Sequence, residues 1–344
     1  MKKLMSFLGV TLILASMASA GTLSISGAGA TFPYPVYAKW ANAYAAQTHV
    51  RLNYQSIGSG GGIAQIKAGT VDFGASDAPL TKNKLDAFGL VQWPQIMGGV
   101  VPVVNVPGLA PNQLRLTPTL LAKIFLGRIT AWNDPEIAAV NPKLKLPGSA
   151  ITVVHRADGS GTTWIFTNYL DKVSPEWHRR VGTAKAVSWP TGIGGKGNEG
   201  VSAYVQRIRG AIGYVEFAYA LQNRMTTVTL QNRAGHWVTA TIGSFQAAAA
   251  NADWAHAPGF YLVLTDQPGA TSWPITGASF ILMRRSQKNR VKAHAVLAFF
   301  NWAFTNGGTM AKELDYVPIP SNVVSMIKAL WSSKIRANGH AIWR

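Results

Sequence analysis

Beyond the N-terminal segment, the pattern of hydrophobic and polar positions predicts alternating strands and helices. Short β-branched runs predict strands at 22–26, 51–55 and 71–75. From 34 to 47, apolar residues recur at i, i+4 and i+8, and a shorter helix is predicted around 63–68. Strand, helix, strand, helix, strand at this spacing predicts a parallel sheet with helices on its faces.

The rest of the chain predicts a second unit. An apolar run from 98 to 105 is expected to carry the chain out of the first sheet, and 230–270 is expected to be irregular. Further predicted elements are strands at 151–154, 211–216 and 279–283 and helices near 118–126, 135–139, 201–208, 291–302 and 322–332. If the strand at 279–283 returns to the first sheet, the segment between is an inserted lobe, with crossings near 98 and 275 that form a hinge.

The segment 1–20 has the pattern of a signal peptide. It starts with Lys2 and Lys3, continues through a mostly apolar run at 8–14, and ends in small residues at Ala20. The apolar run is too short to span a membrane. We therefore expect cleavage near Ala20 and export from the cytoplasm.

The chain contains no cysteine, which excludes disulfides, thiolate catalysis and cysteine-based metal sites. It also excludes the lipid-carrying cysteine that would tether an exported protein to a membrane. The seven histidines show no paired metal spacing such as H-E-x-x-H. We expect a free exported protein with no metal and no cofactor.

The chain is strongly basic, with 32 Lys and Arg against 14 Asp and Glu and a formal net charge of +18. The basic residues are scattered, and no arginine-rich arm or nucleic-acid motif accompanies them. Nucleic-acid binding or surface adhesion therefore rests on charge alone. A basic surface suited to anion-rich surroundings and the attraction of a small anion are the other interpretations.

The stretch 156–163, Arg-Ala-Asp-Gly-Ser-Gly-Thr-Thr, is the strongest candidate for a site. It follows a predicted strand and precedes a predicted helix, so its backbone N–H groups and the helix dipole favour an anion. Arg156 adds a bidentate donor, Asp158 can hold that donor in place, and Ser160 and Thr162 add hydroxyl groups. An ordinary capped helix after a turn is the alternative interpretation.

Two more turns rich in glycine or hydroxyl residues occur at strand-to-helix junctions, at Thr31-Phe32 and at 59–62. In open α/β sheets the ligand crevice lies at the carboxyl ends of the strands, so the three turns are expected to converge there. None of them matches the G-x-G-x-x-G, G-x-x-x-x-G-K-[ST] or G-x-S-x-G pattern. Catalysis is therefore poorly supported.

Asp77, which follows the third predicted strand, is unexpected next to an anion site. A carboxylate can accept the O–H of an anion that still carries a proton, whereas it repels a fully deprotonated one. Phosphate is protonated near neutral pH and sulfate is not. The alternative is that Asp77 caps the turn before Pro79.

These stretches resemble the periplasmic phosphate-binding protein of the high-affinity phosphate ABC transporter, the Pst-type substrate-binding protein. The resemblance runs through most of the chain after the signal peptide. It is carried by GAGATFP at 27–33, VDFGASDAPL at 71–80, RADGSGT at 156–162, WP at 189–190, GGKGN at 194–198, GAIGYVE at 210–216 and WPIT at 273–276. The probability that motifs of this length occur in this order by chance is very small.

The resemblance implies a two-lobed type II periplasmic binding protein fold of the α/β class, each lobe a mainly parallel sheet flanked by helices. The expected division is 21–98 and 273–344 for the first lobe and 99–272 for the second, joined by a two-crossing hinge. The lobes would close on dehydrated phosphate. The implied partners are the membrane permease and ATPase subunits of the transporter, with a monomeric receptor and no nucleic acid.

The resemblance also assigns roles to nine phosphate-binding residues. Asp77 would accept the phosphate proton, Arg156 would clamp the anion, and Asp158 would position Arg156. The expected hydroxyl and backbone donors are Thr31, Phe32, Ser59, Ser160, Gly161 and Thr162. Gly60 departs from the family, which often has serine there. A phosphate-ester hydrolase is the alternative function, and it would need an activated nucleophile or a metal cluster.

Overall fold

The structure is a computed structural model that describes residues 23–344, so the predicted signal peptide lies outside the described residues. The strands in this range are β1 Ser24–Gly29, β2 Arg51–Ser56, β3 Phe73–Ser76, β4 Leu90–Val104, β5 Arg115–Leu116, β6 Thr152–Arg156, β7 Ile193–Gly195, β8 Ala211–Glu216, β9 Thr226–Thr227, β10 Thr229–Gln231, β11 Trp237–Val238, β12 Thr276–Arg284, β13 Arg336–Ala337 and β14 His340–Ala341.

The helices connect these strands and cover the sheet. They are α1 Tyr34–Thr48, α2 Gly58–Ala68, α3 Lys82–Ala87, α4 Pro118–Phe125, α5 Pro135–Val140, α6 Gly161–Val173, α7 Pro175–Arg180, α8 Gly197–Arg207, α9 Phe217–Gln222, α10 Ile242–Ala249, α11 Arg290–Asn306, α12 Gly308–Lys312 and α13 Ser321–Lys334. Two short 3₁₀ turns lie at Trp254–His256 and Pro258–Phe260. No helix within residues 23–344 combines the length and the apolar character needed to cross a membrane.

One mixed sheet runs through the molecule in the order β2-β1-β3-β12-β4-β8-β6-β7, with β9 also paired to β4. The strands are parallel at both ends and antiparallel in the middle, where β12 pairs with β3 and β4 and where β4 pairs with β8. The strand predicted at 279–283 is therefore β12, and it does return to the sheet that contains β1 and β3. We call β1–β3, with the turns and helices that directly follow them, the first flank of the sheet, and β6–β8, with the turns and helices that directly follow them, the second flank.

Strand β4 lies between the two flanks. Its residues up to Gly99 pair with β12, and from Val100 onward they pair with β8. All fifteen of its residues are buried. The apolar run at 98–105 predicted only the second part of this strand, because Gln92, Pro94 and Gln95 interrupt the hydrophobic pattern of the first part.

Two other differences from the predictions have physical reasons. Helix α2 begins at Gly58, inside the glycine run that was expected to precede it. Glycines occur within this helix because it packs directly on the sheet, and a Cβ at Gly62 would lie 2.5 Å from the Gly29 Cα. Helix α10 lies in the stretch expected to be irregular. It is held by a capping box in which Thr241 and Ser244 each bond the other's backbone N–H.

Candidate functional site

The three predicted turns converge where β1, β2 and β6 end, next to the end of β3. Each of the nine candidate residues lies at a strand end or at a helix start. Thr31 and Phe32 follow β1, Ser59 is in the first turn of α2, Asp77 follows β3, Arg156 ends β6, Asp158 is in the turn after it, Ser160 is the N-cap of α6, and Gly161 and Thr162 begin α6. The structure therefore brings together all nine residues that the sequence predicted.

The turns of the two flanks touch through their backbones. The Gly60 N–H donates to the Gly159 carbonyl at 2.7 Å. Gly161 lies so close to the first flank that a Cβ there would overlap the Ser59 hydroxyl and the Asp77 carboxylate. Only a residue without a side chain fits between the two flanks at this point.

Arg156 is held in a fixed orientation. Its Nε donates to Oδ1 of Asp158 at 2.7 Å and its Nη2 donates to Oδ2 at 2.5 Å, a bidentate pair. The remaining Nη1 donates to the Thr162 hydroxyl at 3.3 Å, and Asp158 Oδ1 also accepts the Gly197 N–H. Burial tends to raise the pKa of Asp158, but the hydrogen bond and the charge of Arg156 outweigh it, so the net pKa is lowered.

Asp77 lies directly after β3, on the first flank, and is 1% exposed. Its backbone N–H donates to the Ser59 hydroxyl at 3.1 Å, and that hydroxyl lies 3.5 Å from its Oδ2. Oδ1 has no hydrogen-bond partner among residues 23–344. Burial raises the pKa of Asp77 to about 7, although Ser279, Arg156 and Ser59 each act to lower it. Near neutral pH this carboxyl group therefore exchanges readily between its acid and carboxylate forms.

The alternative interpretation of Asp77, a cap on the turn before Pro79, does not match its contacts. That turn is held by Ser76, whose hydroxyl accepts the Ala78 N–H at 3.2 Å and donates to the Ala78 carbonyl at 2.8 Å. The Asp77 side chain instead points toward Ser59 and Gly161.

Backbone donors complete the site. The Ser160 hydroxyl caps α6 by accepting the Thr163 N–H at 2.9 Å. Gly161 and Thr162 lie in the first turn of α6, where no helical carbonyl precedes them. Their N–H groups find no hydrogen-bond acceptor in the described part of the chain. Together with the start of α2, they place two helix N-termini beside Arg156, which is an arrangement that favours an anion.

Four residues that contact the candidate site were not among the predicted site residues. The Tyr219 hydroxyl donates to the Thr31 carbonyl at 2.7 Å, and the Tyr316 hydroxyl lies 2.7 Å from the Phe32 carbonyl and 2.8 Å from Oε2 of Glu216. Asn198 contacts Thr31 directly.

A signal existed for two of these four residues. Asn198 and Glu216 lie within the glycine-rich and GAIGYVE motifs singled out above, whereas Tyr316 is 284 residues from its partner Phe32 and carries no local signal. Burial raises the pKa of Glu216 well above its usual range, although hydrogen bonds from the Tyr316 hydroxyl and the Ala218 N–H act to lower it.

Metal chemistry has no support in the described residues. Across residues 23–344, no group of three or more histidine or carboxylate side chains is placed so that it could hold a metal ion. Hydroxyl and amide donors, one guanidinium and one titrating carboxyl group are the chemistry of a site for a small oxyanion that carries a proton.

The raised pKa of Asp77 gives a stability prediction. The unfolded side chain loses its proton near pH 3.8 and the folded one near pH 7, so the free energy of unfolding of the anion-free protein falls as the pH rises between these values. Between pH 5 and 8 the loss is at most about 3 kcal/mol. The variant Asp77→Asn lacks this loss, and urea unfolding at several pH values measures it.

The matched control is Asp86→Asn. Hydrogen bonds from Lys82 and Arg285 lower the pKa of Asp86 to about 2, so its ionisation does not change between pH 5 and 8. Parallel stability curves for the wild type and Asp77→Asn over this range would contradict the assigned pKa.

The chain is similar to known proteins over most of its length. A PBP superfamily domain is matched over residues 15–306. The chain is 56% identical to the phosphate-binding protein PstS of Xylella fastidiosa over 92% of this chain and 86% of that protein. It is 53% identical to the phosphate-binding protein PstS of Haemophilus influenzae over 94% of this chain and 97% of that protein.

Solved structures extend the likeness to the fold. The structure of PfluDING, a high affinity periplasmic phosphate-binding protein bound with phosphate, matches with a TM-score of 0.75 and covers 92% of this chain and 96% of its own. The sequence identity is 19%, so this match speaks for the fold alone. The predicted fold class, the α/β type II periplasmic binding protein fold, is confirmed. The chain belongs to the PBP superfamily and, within it, to the PstS family of phosphate-binding proteins.

Proposed function

We propose that this protein binds inorganic phosphate between two closing lobes outside the cytoplasmic membrane and delivers it to the permease of a phosphate ABC transporter. The observation that carries the proposal is the pairing of Arg156 and two helix N-termini with one buried carboxyl group, Asp77, whose pKa lies near 7. The relatives named phosphate-binding protein PstS support phosphate as the ligand.

The nine candidate residues are the proposed contacts. In this arrangement Arg156 grips two phosphate oxygens, Asp158 keeps the guanidinium in place, and Asp77 accepts the proton that phosphate retains. The hydroxyl and backbone donors are those of Thr31, Phe32, Ser59, Ser160, Gly161 and Thr162. The hydrogen bond between Asp77 and the anion needs one proton, which either group can supply. Sulfate carries no proton, so an ionised Asp77 and a bound sulfate would face each other as two acceptors.

The proposed lobes are 21–98 with 273–344, and 99–272. The support is the place at which the sheet changes partners: β4 leaves β12 after Gly99, and β12 begins opposite it at Thr276. These two adjacent crossings would form the hinge. Closure about them would bring the donors of both flanks around the anion and exclude water, and docking on the permease would favour the open arrangement.

The remaining assignments follow from the same proposal. Residues 1–20 would direct export and be cleaved near Ala20, and the mature receptor would act as a monomer in the periplasm, with permease and ATPase subunits as partners. No catalytic step is required. The alternative, a phosphate-ester hydrolase, would need a metal cluster or a nucleophile with a base, and residues 23–344 supply no metal cluster for it.

Calorimetric titration tests the ligand. We expect one phosphate to bind per chain at pH 8 while sulfate gives no heat, because Asp77 is ionised there and accepts only a protonated anion. Asp77→Asn should lower the ratio of phosphate to sulfate affinity by about tenfold or more, since an amide can donate to either anion.

Asp86→Asn serves as the surface control and should keep the wild-type ratio. An unchanged ratio in Asp77→Asn would remove the proton-acceptor role, and wild-type protein that binds neither anion would overturn the proposed function.

Removing the clamp should cost the larger share of affinity. Arg156→Ala deletes the guanidinium that is proposed to donate to two phosphate oxygens. Each charge-assisted hydrogen bond is worth about 1.5–3 kcal/mol, so the loss of binding free energy should be on the order of 3 kcal/mol or more. Arg128→Ala is the control, because Arg128 makes an exposed ion pair with Glu176. Phosphate binding by folded Arg156→Ala at the wild-type affinity would rule out the clamp.

Closure is measured by small-angle X-ray scattering. Adding phosphate to the anion-free protein should reduce its radius of gyration, because the ligand contacts both flanks and stabilises the closed arrangement. The same addition should leave Arg156→Ala unchanged at concentrations that saturate the wild type. If phosphate binds without any change in the wild-type scattering, the hinge assignment is wrong.

A further inference from the structure

Asn198 lies between the two flanks of the sheet, at the start of α8, and is fully buried. Its Nδ2 donates to the Thr31 hydroxyl at 2.7 Å and to the Thr162 hydroxyl at 3.3 Å. Thr31 belongs to the first flank and Thr162 to the second. One amide group therefore joins the two hydroxyl groups across the site.

The orientation of this amide is determined by its other end. The Asn198 Oδ1 accepts the backbone N–H of Glu216 at 3.0 Å. A backbone N–H can only donate, so the oxygen must lie on that side and the NH₂ group must face the two threonines. Reversing the amide would set its NH₂ group against the Glu216 N–H, two donors in a buried position, and would lose that hydrogen bond.

The hydrogen bonds received by the two hydroxyls decide what they can do next. The Thr31 Oγ1 accepts from the Asn198 backbone N–H at 3.3 Å as well as from Nδ2. The Thr162 Oγ1 accepts from Arg156 Nη1 at 3.3 Å as well as from Asn198 Nδ2. A hydroxyl has two lone pairs and one hydrogen, so both oxygens are used fully as acceptors.

Only the O–H bond of each hydroxyl is left to use. Within residues 23–344 neither the Thr31 hydroxyl nor the Thr162 hydroxyl donates to a protein acceptor, although both side chains are buried. Both O–H groups therefore need an acceptor from a ligand.

We infer that Asn198 is a positioning residue that forces the hydroxyls of Thr31 and Thr162 to act as donors to the bound anion. This inference rests on the proposed function. It divides the site into donors whose direction is set by Asn198 and a single acceptor, Asp77. The site then selects a ligand that offers lone pairs everywhere except at one protonated oxygen.

Asn198 also ties this orientation to closure. The Thr31 hydroxyl receives both of its hydrogen bonds from a residue of the other flank. If the flanks separate, Thr31 loses both bonds and its hydroxyl turns freely. The donor set for the anion is therefore complete only when the flanks are in contact, which couples ligand recognition to the closed arrangement.

A double-mutant cycle tests the inference with phosphate titrations that extend to millimolar concentrations. Asn198→Ala should weaken phosphate binding of the wild type by about tenfold, the equivalent of one to two oriented hydrogen bonds. In the Thr31→Val, Thr162→Val background the same change should have little further effect, because the hydroxyls that it positions are absent. Equal weakening in both backgrounds would show a merely structural role and overturn the inference.

Two further variants keep the result interpretable. Asn198→Asp has the same shape and retains an acceptor for the Glu216 N–H. It replaces Asn198→Ala if that variant does not fold. The charge that it adds repels the anion in both backgrounds, so this repulsion cancels in the cycle. Ser202→Ala alters the same helix at a buried hydroxyl that has no hydrogen-bond partner in the described residues, and it should leave binding unchanged.

The two proposals fail in different ways. Wild-type protein that does not bind phosphate overturns the proposed function and the inference with it. Wild-type protein that binds phosphate, with an Asn198 effect that is the same in both backgrounds, overturns the inference alone.

Discussion

The burial of charge at the point where the two flanks meet is the constraint on which the site depends. A buried guanidinium is costly unless a carboxylate compensates it, and Asp158 does so with two hydrogen bonds to Arg156. Asp77 has no such partner, so its pKa rises until it carries a proton for part of the time. The charge of Arg156 is thus fixed, whereas that of Asp77 changes with pH. The hydrogen-bonding groups around them have to accommodate both.

The sequence predicted the components of this site because each lies within a local strand–turn–helix unit. Alternating polarity placed β1 and β3, helical spacing placed α1, and the glycine and hydroxyl residues after β6 indicated a helix N-terminus. Signals of this kind extend over a few residues only. They identified Arg156 and Asp158 as a pair. In the structure both carboxylate oxygens of Asp158 accept hydrogen bonds from the Arg156 guanidinium.

Contacts between distant parts of the chain were beyond the sequence pattern. Tyr316 reaches Phe32 and Glu216 from near the C-terminus, and no periodicity relates these positions. The long strand β4 was only half predicted, because its polar residues are buried by pairing with β12 and not by a hydrophobic pattern. Asn198 was visible as part of a glycine-rich motif, but its role depends on hydrogen-bond directions that only three-dimensional geometry defines.

The pairing of Arg156 with Asp158 has a further consequence for the rates of binding. Because this pair is formally neutral and Asp77 can add only a negative charge, the interior of the site offers no net positive charge, whereas the whole chain carries a formal charge of +18. Long-range attraction of an anion is therefore a property of the surface, where dissolved salt screens it. Retention depends on buried hydrogen bonds, which salt screens much less. Ionic strength should thus change how fast phosphate arrives and hardly how long it stays.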